Sequence, residues 1–370
     1  MQKENNKILT LESLRGIAAL CVALYHFKIG SYFEITFIKN SWLMVDFFFV
    51  LSGFVIALNY QSRLNSIRSV YNFQIQRFLR LYPLHLIILF AFLGIEISKY
   101  ILEVYFNLES NSGAFTKNNA SSFFANIFLI HNFIIEERTW NYPSWSVSAE
   151  FYTYLLFAMV VLCFKKTKYI LAFSFSIVII SCFYLNMNEM TTSPMIGPIR
   201  CIFSFSMGLI CFNFFDLYKN KIKFQSSLPA GIFLFLCIML MSFFYIETYT
   251  KGAAFVPILF ALTILVLAFT SRYSYLSKAL SNDKLVYIGS MSYGIYMIHA
   301  VVWYFMSQFL RFVIKVPTRI TSEGYLIYID NSFVASIIVL LGMIIIILLS
   351  HLSYKYIETR FNNYRKKFII

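Results

Sequence analysis

Charged residues are scarce in this sequence, and that scarcity excludes an ordinary soluble domain. Asp, Glu, Lys and Arg make up 13% of the 370 residues, whereas hydrophobic residues make up 59%. Soluble domains carry about 25% charged and 45–50% apolar residues. The mean hydropathy is +0.69. We therefore expect an all-α, polytopic membrane protein, with its 42 Phe and 26 Tyr suited to lipid-facing and interfacial surfaces.

Other features are also missing. The six cysteines are scattered singly through apolar segments, without CxxC or metal-ligand spacing, so we expect neither a disulfide framework nor a metal site. No repeat, low-complexity tract or Gly/Ser linker interrupts the chain, which predicts a single membrane domain over residues 1–370. The polar start MQKENNK leads straight into an apolar run followed by many others, so we expect no cleavable signal peptide.

Ten apolar runs are long enough to cross about 30 Å of hydrocarbon. They lie at residues 11–29, 42–60, 80–102, 148–165, 169–187, 197–215, 228–246, 253–270, 286–310 and 331–351. A shorter apolar segment, 123–135, lies within the long polar loop 103–147. At about 13 residues it is too short for a span, and we expect a re-entrant or interfacial segment in an external loop.

The distribution of basic residues predicts the orientation of these ten runs. With the N-terminus inside, the inner loops and both termini hold 20 Lys and Arg residues, and the outer loops hold seven. Basic residues favour the cytoplasmic side of a membrane protein. We therefore expect both termini to be cytoplasmic. The net charge of +14 then reflects membrane orientation, and we expect no nucleic-acid partner.

The first apolar run holds an arginine and a histidine within one helix-length segment, Leu11–Phe27. Arg15 and His26 are eleven residues apart, so they share a helix face and lie about 16 Å apart along its axis. Ionisable residues are costly to bury in a membrane and are functional-site candidates that face the bundle interior. The alternative is an arginine that reaches the membrane edge together with a hydrogen-bonded structural histidine.

Two further arginines, Arg77 and Arg80, are spaced i, i+3 where the third run begins. This spacing puts them on the same side of a helix at the predicted cytoplasmic surface. Guanidinium groups bind phosphate with a two-bond geometry that lysine does not match. The alternative is ordinary cytoplasmic-side charge that binds lipid headgroups.

A carboxylate, Glu150, lies in the segment WSVSAE at 145–150, which opens the fourth run. We expect its depth to resemble that of His26. A carboxylate within reach of an imidazole raises its basicity and fixes its tautomer, as general-base catalysis requires. The alternative is that Glu150 caps the helix start, where an acidic group suits the helix dipole. Ser146 is an equally good candidate for that cap.

Other polar residues of the apolar runs have competing interpretations. Asp46 lies near the external end of the second run, where it could be solvated, and Ser52 and Gly53 favour close helix packing. His299 is a second intramembrane histidine, for which a hydrogen-bonded packing role is the alternative to a functional one. Arg200 begins the sixth run and either lines a polar cavity or lies at the interface.

Five motifs occur in order along the chain. They are the Arg-x10-His pair of Arg15 and His26, FFVLSGF at 48–54, RFLRLYP at 77–83, WSVSAE at 145–150 and SYGIYMIH at 292–299. At these residues the sequence resembles the membrane acyltransferase family 3, whose members modify cell-surface glycans in bacteria. The resemblance implies transfer of an acyl group, usually acetyl, from cytoplasmic acyl-CoA to a hydroxyl of a saccharide outside. The sequence looks like the stand-alone form of the family, without an SGNH-type hydrolase domain.

The resemblance also suggests roles for individual residues. We expect His26 to be the general base, with Glu150 orienting it and Arg15 supporting catalysis; an acyl-histidine intermediate is the alternative. Arg77, Arg80 and Arg15 are expected to bind the anionic donor. Substrate binding is assigned to Trp145, Ser146, Asp46 and His299.

The expected partners follow from this reaction. They are acyl-CoA, a saccharide or lipid-linked glycan, and membrane lipid, in a bacterial cytoplasmic (inner) membrane. We expect no permanently bound cofactor, because acetyl-CoA or another acyl-CoA is a donor substrate. The acyl group and the acceptor, such as O-antigen or another surface polysaccharide, stay open. The competing hypothesis is a transporter or flippase of a lipid-linked saccharide, although the inverted halves typical of transporters are not visible.

Overall fold

The computed structural model of the chain describes residues 8–107, 113–188, 196–224, 228–245, 255–321 and 324–368. Helices dominate these ranges. They are α1 Leu9–Tyr25, α2 Thr36–Lys39, α3 Met44–Tyr60, α4 Ile67–Phe106, α5 Ala120–Ile127, α6 His131–Ile134, α7 Trp145–Phe164, α8 Thr167–Asn188, α9 Ile196–Tyr218, α10 Leu228–Tyr245, α11 Val256–Phe269, α12 Tyr275–Leu280, α13 Asp283–Ser290, α14 Ser292–Gln308, α15 Ser332–Ser353 and α16 Thr359–Arg365. A small antiparallel hairpin, β1 Thr318–Thr321 and β2 Gly324–Ile327, precedes α15. The predicted all-α class is confirmed apart from this hairpin.

Six described helices are long and apolar enough to cross a membrane, or seven if one bent pair is a single span. The bent pair joins Asp283–Ser290 to Ser292–Val313 at an angle of 63°. The chain is therefore an integral membrane protein. Nine of the ten predicted runs overlap one described helix each, and the run 286–310 overlaps the bent pair α13 and α14; α1, α10 and α11 do not reach the same length over the described residues. The structure thus does not confirm the count of ten.

The segment predicted to be re-entrant or interfacial forms two short helices, α5 and α6, of eight and four residues. Neither is long enough to cross a membrane. Buried Asn126 and Trp140 anchor this region: the Asn126 amide donates to the Ser122 carbonyl at 2.9 Å, and the Trp140 indole donates to the Ser122 hydroxyl at 2.9 Å. Its position relative to the membrane surface stays a prediction.

Glycines allow the helices at the centre of the bundle to meet backbone to backbone. A side chain at Gly53 of α3 would collide with the Phe205 carbonyl of α9, and one at Gly208 of α9 would collide with the Val50 carbonyl of α3. The packing role predicted for Gly53 is confirmed. Ser52 instead forms a 2.7 Å hydrogen bond with the Tyr154 hydroxyl of α7.

Helix α1 lies inside the bundle, against α3, α13 and α14. Its contact with α13 is as close as that between α3 and α9, because a side chain at Gly289 would collide with the Glu12 carbonyl. At its other end, the Trp303 indole of α14 donates to the Ala23 carbonyl at 2.8 Å, and Phe27 stacks on Trp303 at 4.3 Å. Both ends of α1 are therefore fixed to the C-terminal half of the chain.

Candidate active site

A cavity of about 90 Å³, here called the central cavity, lies between α1, α3, α4, α7 and α14. Arg15, Arg80 and Glu150 line it, together with Ser52 and Tyr154. The structure therefore brings together three of the charged residues that the sequence analysis selected from three separate helices.

Arg15 and Arg80 supply the positive charge of the central cavity. Arg15 is half-buried, and its Nη1 lies 3.5 Å from Glu12 Oε1. Arg80 interacts electrostatically with Glu150 and Glu12. Both guanidinium groups keep access to the cavity, so they can meet an anionic ligand there. Arg77 and Arg80 lie on one helix, α4, as their spacing predicts. The arginine beside Arg80 on the cavity wall, however, is Arg15.

Arg77 does not line the central cavity, contrary to the expectation that it binds the donor directly. It is 2% exposed, and its Nη2 donates to the Tyr60 hydroxyl at 2.8 Å. The guanidinium carbon lies 5.0 to 5.9 Å from the rings of Tyr60, Phe73 and Tyr154. Three residues advance a helix by about 300°, so the Arg77 and Arg80 side chains point in directions about 60° apart around the axis of α4. Only Arg80 faces the cavity. Arg77 supports the Tyr154 wall of the cavity from behind.

Glu150 lies deeper in α7 than the helix-cap interpretation requires. Helix α7 begins at Trp145, and its first turn contains no acidic residue, so Glu150 does not cap the helix. Ser146 is not the cap either, because the residue before the helix is Ser144 and its side chain caps no backbone group. The Glu150 carboxylate faces Tyr154, Arg77 and Arg80.

The expected contact between Glu150 and His26 is not seen as a hydrogen bond, and the role of Glu150 in orienting His26 stays a prediction. No hydrogen bond joins these two residues among the ranges that the structure describes. The His26 Nδ1 atom instead donates to the Val22 carbonyl at 2.9 Å. One helical turn of its own backbone therefore fixes the His26 tautomer, and the Nε2 lone pair is left to accept a proton.

His26 belongs to a separate cluster with His299 and Tyr142. The ring centroids of His26 and His299 are 4.9 Å apart, and those of His26 and Tyr142 are 4.8 Å apart. His299 is fully buried; its Nδ1 donates to the Ile295 carbonyl at 3.2 Å, and its Nε2 has no hydrogen-bond partner within the described part of the chain. His299 is therefore paired with His26, and it is not the lone histidine that the packing alternative assumes.

Tyr296 and Ser146 separate the histidine cluster from the central cavity. Both residues line the cavity, and their hydroxyl oxygens are 2.8 Å apart. The Tyr296 hydroxyl donates to the Pro143 carbonyl at 2.9 Å, and the Tyr296 ring lies 5.9 Å from the His299 ring. Ser146 thus contacts the cavity as expected of a substrate-binding residue, but it is also half of a polar partition.

Asp46 is not solvated, which was one interpretation of its place near the external end of the second run; its assignment to substrate binding stays a prediction. It is fully buried and receives two hydrogen bonds from Arg200 Nε, at 2.9 and 3.0 Å, with a further ion pair to Nη2. The Ser204 hydroxyl donates to the same carboxylate at 3.1 Å. The Arg200 guanidinium also lies 4.7 Å from the Trp42 ring. A complete ion pair explains both intramembrane charges as structural.

The C-terminal segment contributes charged residues to this region that no sequence motif predicts. Helix α16 packs against α4, and Arg365 interacts electrostatically with Arg77 and Arg80. Glu358 interacts with Arg80 and Arg15, and accepts a 3.5 Å hydrogen bond from Ser353. The sequence predicts only a cytoplasmic position for the basic residues of this segment, because no spacing rule connects the last twenty residues to the third apolar run.

Among the described residues, no group of three or more His, Cys, Asp or Glu side chains is placed to hold a metal ion.

Comparison with known proteins identifies the family. The family model described as an acyltransferase domain, of the acyltransferase-3 family, matches residues 8–354. The chain belongs to membrane acyltransferase family 3. The expected family and the expected enzyme class, an acyltransferase, are both confirmed.

Curated relatives carry names that agree with this class. The peptidoglycan O-acetyltransferase OatA of Listeria monocytogenes is 28% identical over 319 residues, which cover 78% of this chain and 48% of that protein. The putative acetyltransferase ORF330 of Acidianus two-tailed virus is 24% identical over 307 residues, which cover 79% of this chain and 82% of that protein. This acyltransferase-3 chain thus spans about half the length of the Listeria protein. No solved structure gives a significant match to it.

Proposed function

We propose that this protein transfers an acyl group, acetyl in the simplest case, from acyl-CoA to a hydroxyl of an extracytoplasmic saccharide. The observation that carries the proposal is the order of groups along α1. Arg15 opens the central cavity beside Arg80, and His26 lies about 16 Å further along the helix with an available Nε2 atom. A bacterial cytoplasmic membrane, with the arginines at its inner surface, fits the distribution of basic residues.

The central cavity suits the donor. Acyl-CoA carries phosphates at one end and its thioester at the end of a long flexible arm. Guanidinium groups at Arg15 and Arg80 match the phosphates, and the largely apolar wall formed by Val45, Phe48 and Leu51 suits the arm. Arg77 then acts as a positioning residue, because it holds Tyr60 and Tyr154 rather than the ligand.

The histidine cluster suits the transfer step. His26 Nε2 accepts the proton of the acceptor hydroxyl while that oxygen attacks the thioester carbonyl carbon. The carbon–sulfur bond breaks as the intermediate collapses, and the imidazolium returns its proton to the departing CoA thiolate. In the alternative with an acyl-histidine intermediate, Nε2 itself attacks the carbonyl first. The Tyr296–Ser146 partition must open in either case for the thioester to reach His26.

The acceptor class rests on the named function of a relative. The Listeria protein is named for O-acetylation of peptidoglycan, which supports a surface polysaccharide as acceptor here. O-antigen or another surface glycan fits the same chemistry, since each offers ring hydroxyls outside the membrane.

Donor binding and transfer test this proposal. We expect the purified protein to bind radiolabelled acetyl-CoA, and Arg80→Ala to weaken that binding at least tenfold because a direct charge-assisted contact to phosphate is lost. We expect His26→Ala to bind acetyl-CoA normally and to leave the surface glycan without ester-linked acetyl groups. The matched control is His351→Ala, which removes a histidine that pairs with Tyr287 away from the cavity.

Two results would contradict the proposal. Full glycan acetylation by a normally expressed His26→Ala protein would rule out the general base. Absence of acetyl-CoA binding by the wild-type protein, with movement of a lipid-linked saccharide across vesicle membranes, would favour the competing flippase.

A further inference from the structure

The central cavity, at about 90 Å³, is too small for a whole acyl-CoA molecule. Sites for small ligands usually offer about 300–1,000 Å³. The narrow pantetheine arm and the acyl group can enter past Arg15 and Arg80, but the adenosine part of the donor has to lie outside the cavity. We therefore searched for a further contact to the nucleotide among the residues that border these arginines from outside.

The segment that follows α15 lies beside these arginines. Its π-helical turn, Tyr354–Glu358, and helix α16 both pack against α4. Hydrogen bonds fix the far end of the segment, because the Gln76 amide of α4 donates to the Phe368 carbonyl. Gln76 Oε1 in turn accepts a 2.8 Å hydrogen bond from the Tyr60 hydroxyl, and that hydroxyl accepts one from Arg77, also at 2.8 Å. Two side chains thus connect the end of the segment to Arg77.

Arg365, in the last turn of α16, lies next to other positive charges. It is half-buried, and its largest electrostatic interactions are with the guanidinium groups of Arg77 and Arg80. Among the residues that the structure describes, no carboxylate lies within ion-pair distance of Arg365. Arg80, by contrast, interacts with Glu150 and Glu12.

This arrangement of charge favours an anionic ligand beside Arg365. Like charges that lie close together repel each other, and the repulsion is stronger where water is partly excluded. A phosphate bound among the guanidinium groups removes that repulsion and accepts two hydrogen bonds from a single arginine.

We propose that Arg365 binds the phosphate on the ribose of acyl-CoA, while Arg15 and Arg80 bind the diphosphate nearer the pantetheine arm. The positions of the arginines match the order of groups in the donor. Arg15 and Arg80 line the central cavity, whereas Arg365 lies outside it, beside the buried Arg77. In acyl-CoA the ribose phosphate is likewise farther from the thioester than the diphosphate. This contact rests on the proposed transfer from acyl-CoA.

Arg365→Gln, tested with two donors, measures this contact. The probes are acetyl-CoA and 3′-dephospho-acetyl-CoA, which lacks only the ribose phosphate, and the full chain is studied in detergent without phospholipid. We expect wild type to bind acetyl-CoA at least fivefold more tightly than the dephospho form. Arg365→Gln should weaken acetyl-CoA binding at least fivefold and change binding of the dephospho form less than twofold. The lost side chain and the lost phosphate belong to one contact, so their effects do not add.

The matched control is Arg360→Gln. Arg360 lies on the same helix and is exposed, and the substitution removes the same charge. We expect this variant to bind both donors within twofold of wild type, which separates a direct contact from the general positive field. A second variant, Arg365→Lys, keeps the charge but loses the two-bond geometry of arginine. We expect it to bind acetyl-CoA about threefold more weakly.

Three results would overturn the ribose-phosphate contact. The first is a wild-type protein that binds the two donors equally. The second is an Arg365→Gln protein that binds both donors like wild type or loses affinity for both equally; if that variant does not fold, wild-type affinity of Arg365→Lys for acetyl-CoA counts in the same way. The third is an effect of Arg365→Gln seen only in vesicles of anionic phospholipid, which would assign the arginine to lipid headgroups. Failure of the wild-type protein to bind either donor overturns the proposed function instead.

Discussion

Among the residues whose burial the structure describes, two arginines are almost fully buried, and they are stabilised in different ways. Arg200 forms a two-bond ion pair with Asp46, so the charges cancel locally. Arg77 has one hydrogen bond, to Tyr60, and packs against three aromatic rings. Ion pairing suits a fixed structural contact, whereas the aromatic enclosure leaves a positive field that extends towards Glu150 and the central cavity.

The Asp46–Arg200 pair makes a prediction about stability. Asp46→Ala leaves a buried arginine without its carboxylate, so we expect a loss of about 3–5 kcal/mol in the free energy of unfolding. Denaturant unfolding of the purified protein in detergent measures this loss. Asp216→Ala is the control, because its ion pair with Lys219 is half-exposed and contributes little. Equal stability of the two variants would show that the pair does not stabilise the fold.

Single residues were predicted well where a charge lies within an apolar run. Arg15, Arg80, Glu150 and His26 were selected in this way, and the first three do line one cavity. The partners of those residues were not predictable. Glu150 was expected to contact His26 because both lie near the same predicted depth, but the direction of a side chain around a helix depends on packing that depth does not report.

At the scale of helices, the closest contacts depend on glycine. Gly53 and Gly208 let α3 and α9 touch along their backbones, and Gly16 and Gly289 do the same for α1 and α13. Van der Waals packing through small residues is the usual basis of helix association in lipid. The sequence predicts a packing role for Gly53 but does not predict Gly208 as its partner, because apolar periodicity does not determine which helices pair.

Helix packing makes a second prediction. Gly208→Ala places a methyl group against the Val50 carbonyl, so we expect α3 and α9 to separate and the unfolding temperature to fall by several degrees. The matched control is Gly94→Ala on α4, where an added methyl meets nothing within 4 Å. There the better helix propensity of alanine should leave stability unchanged or raise it by up to about 1 kcal/mol. Thermal unfolding followed by circular dichroism distinguishes the two, and similar losses in both would contradict this account.

At the scale of the whole molecule, both ends of the chain converge on one charged region. Arg15 of α1, Arg80 of α4 and Glu358 after α15 interact electrostatically, and Arg365 of α16 joins them. The even number of crossings expected from the sequence requires the termini to share a side of the membrane. The positions of Arg15 and Arg365 support that expectation independently of the charge count.

Reporter fusions test the orientation. We expect a reporter that is active only in the cytoplasm to work at both the N-terminus and the C-terminus, because basic residues flank both ends. A reporter active only outside should work when inserted at exposed Lys117, in the predicted external loop. Activity of the external reporter at either terminus would reverse the proposed sides for donor and acceptor.

The hydrogen-bonded pair of Tyr296 and Ser146 has a consequence for the membrane itself. In the proposed mechanism the donor and the acceptor reach His26 from opposite sides of the membrane, so an open path between the two sides would leak protons. The Tyr296 hydroxyl, bonded to Pro143 and Ser146, closes the wall of the central cavity that faces the histidine cluster. Transfer would then require this contact to open only while a bound substrate fills the gap.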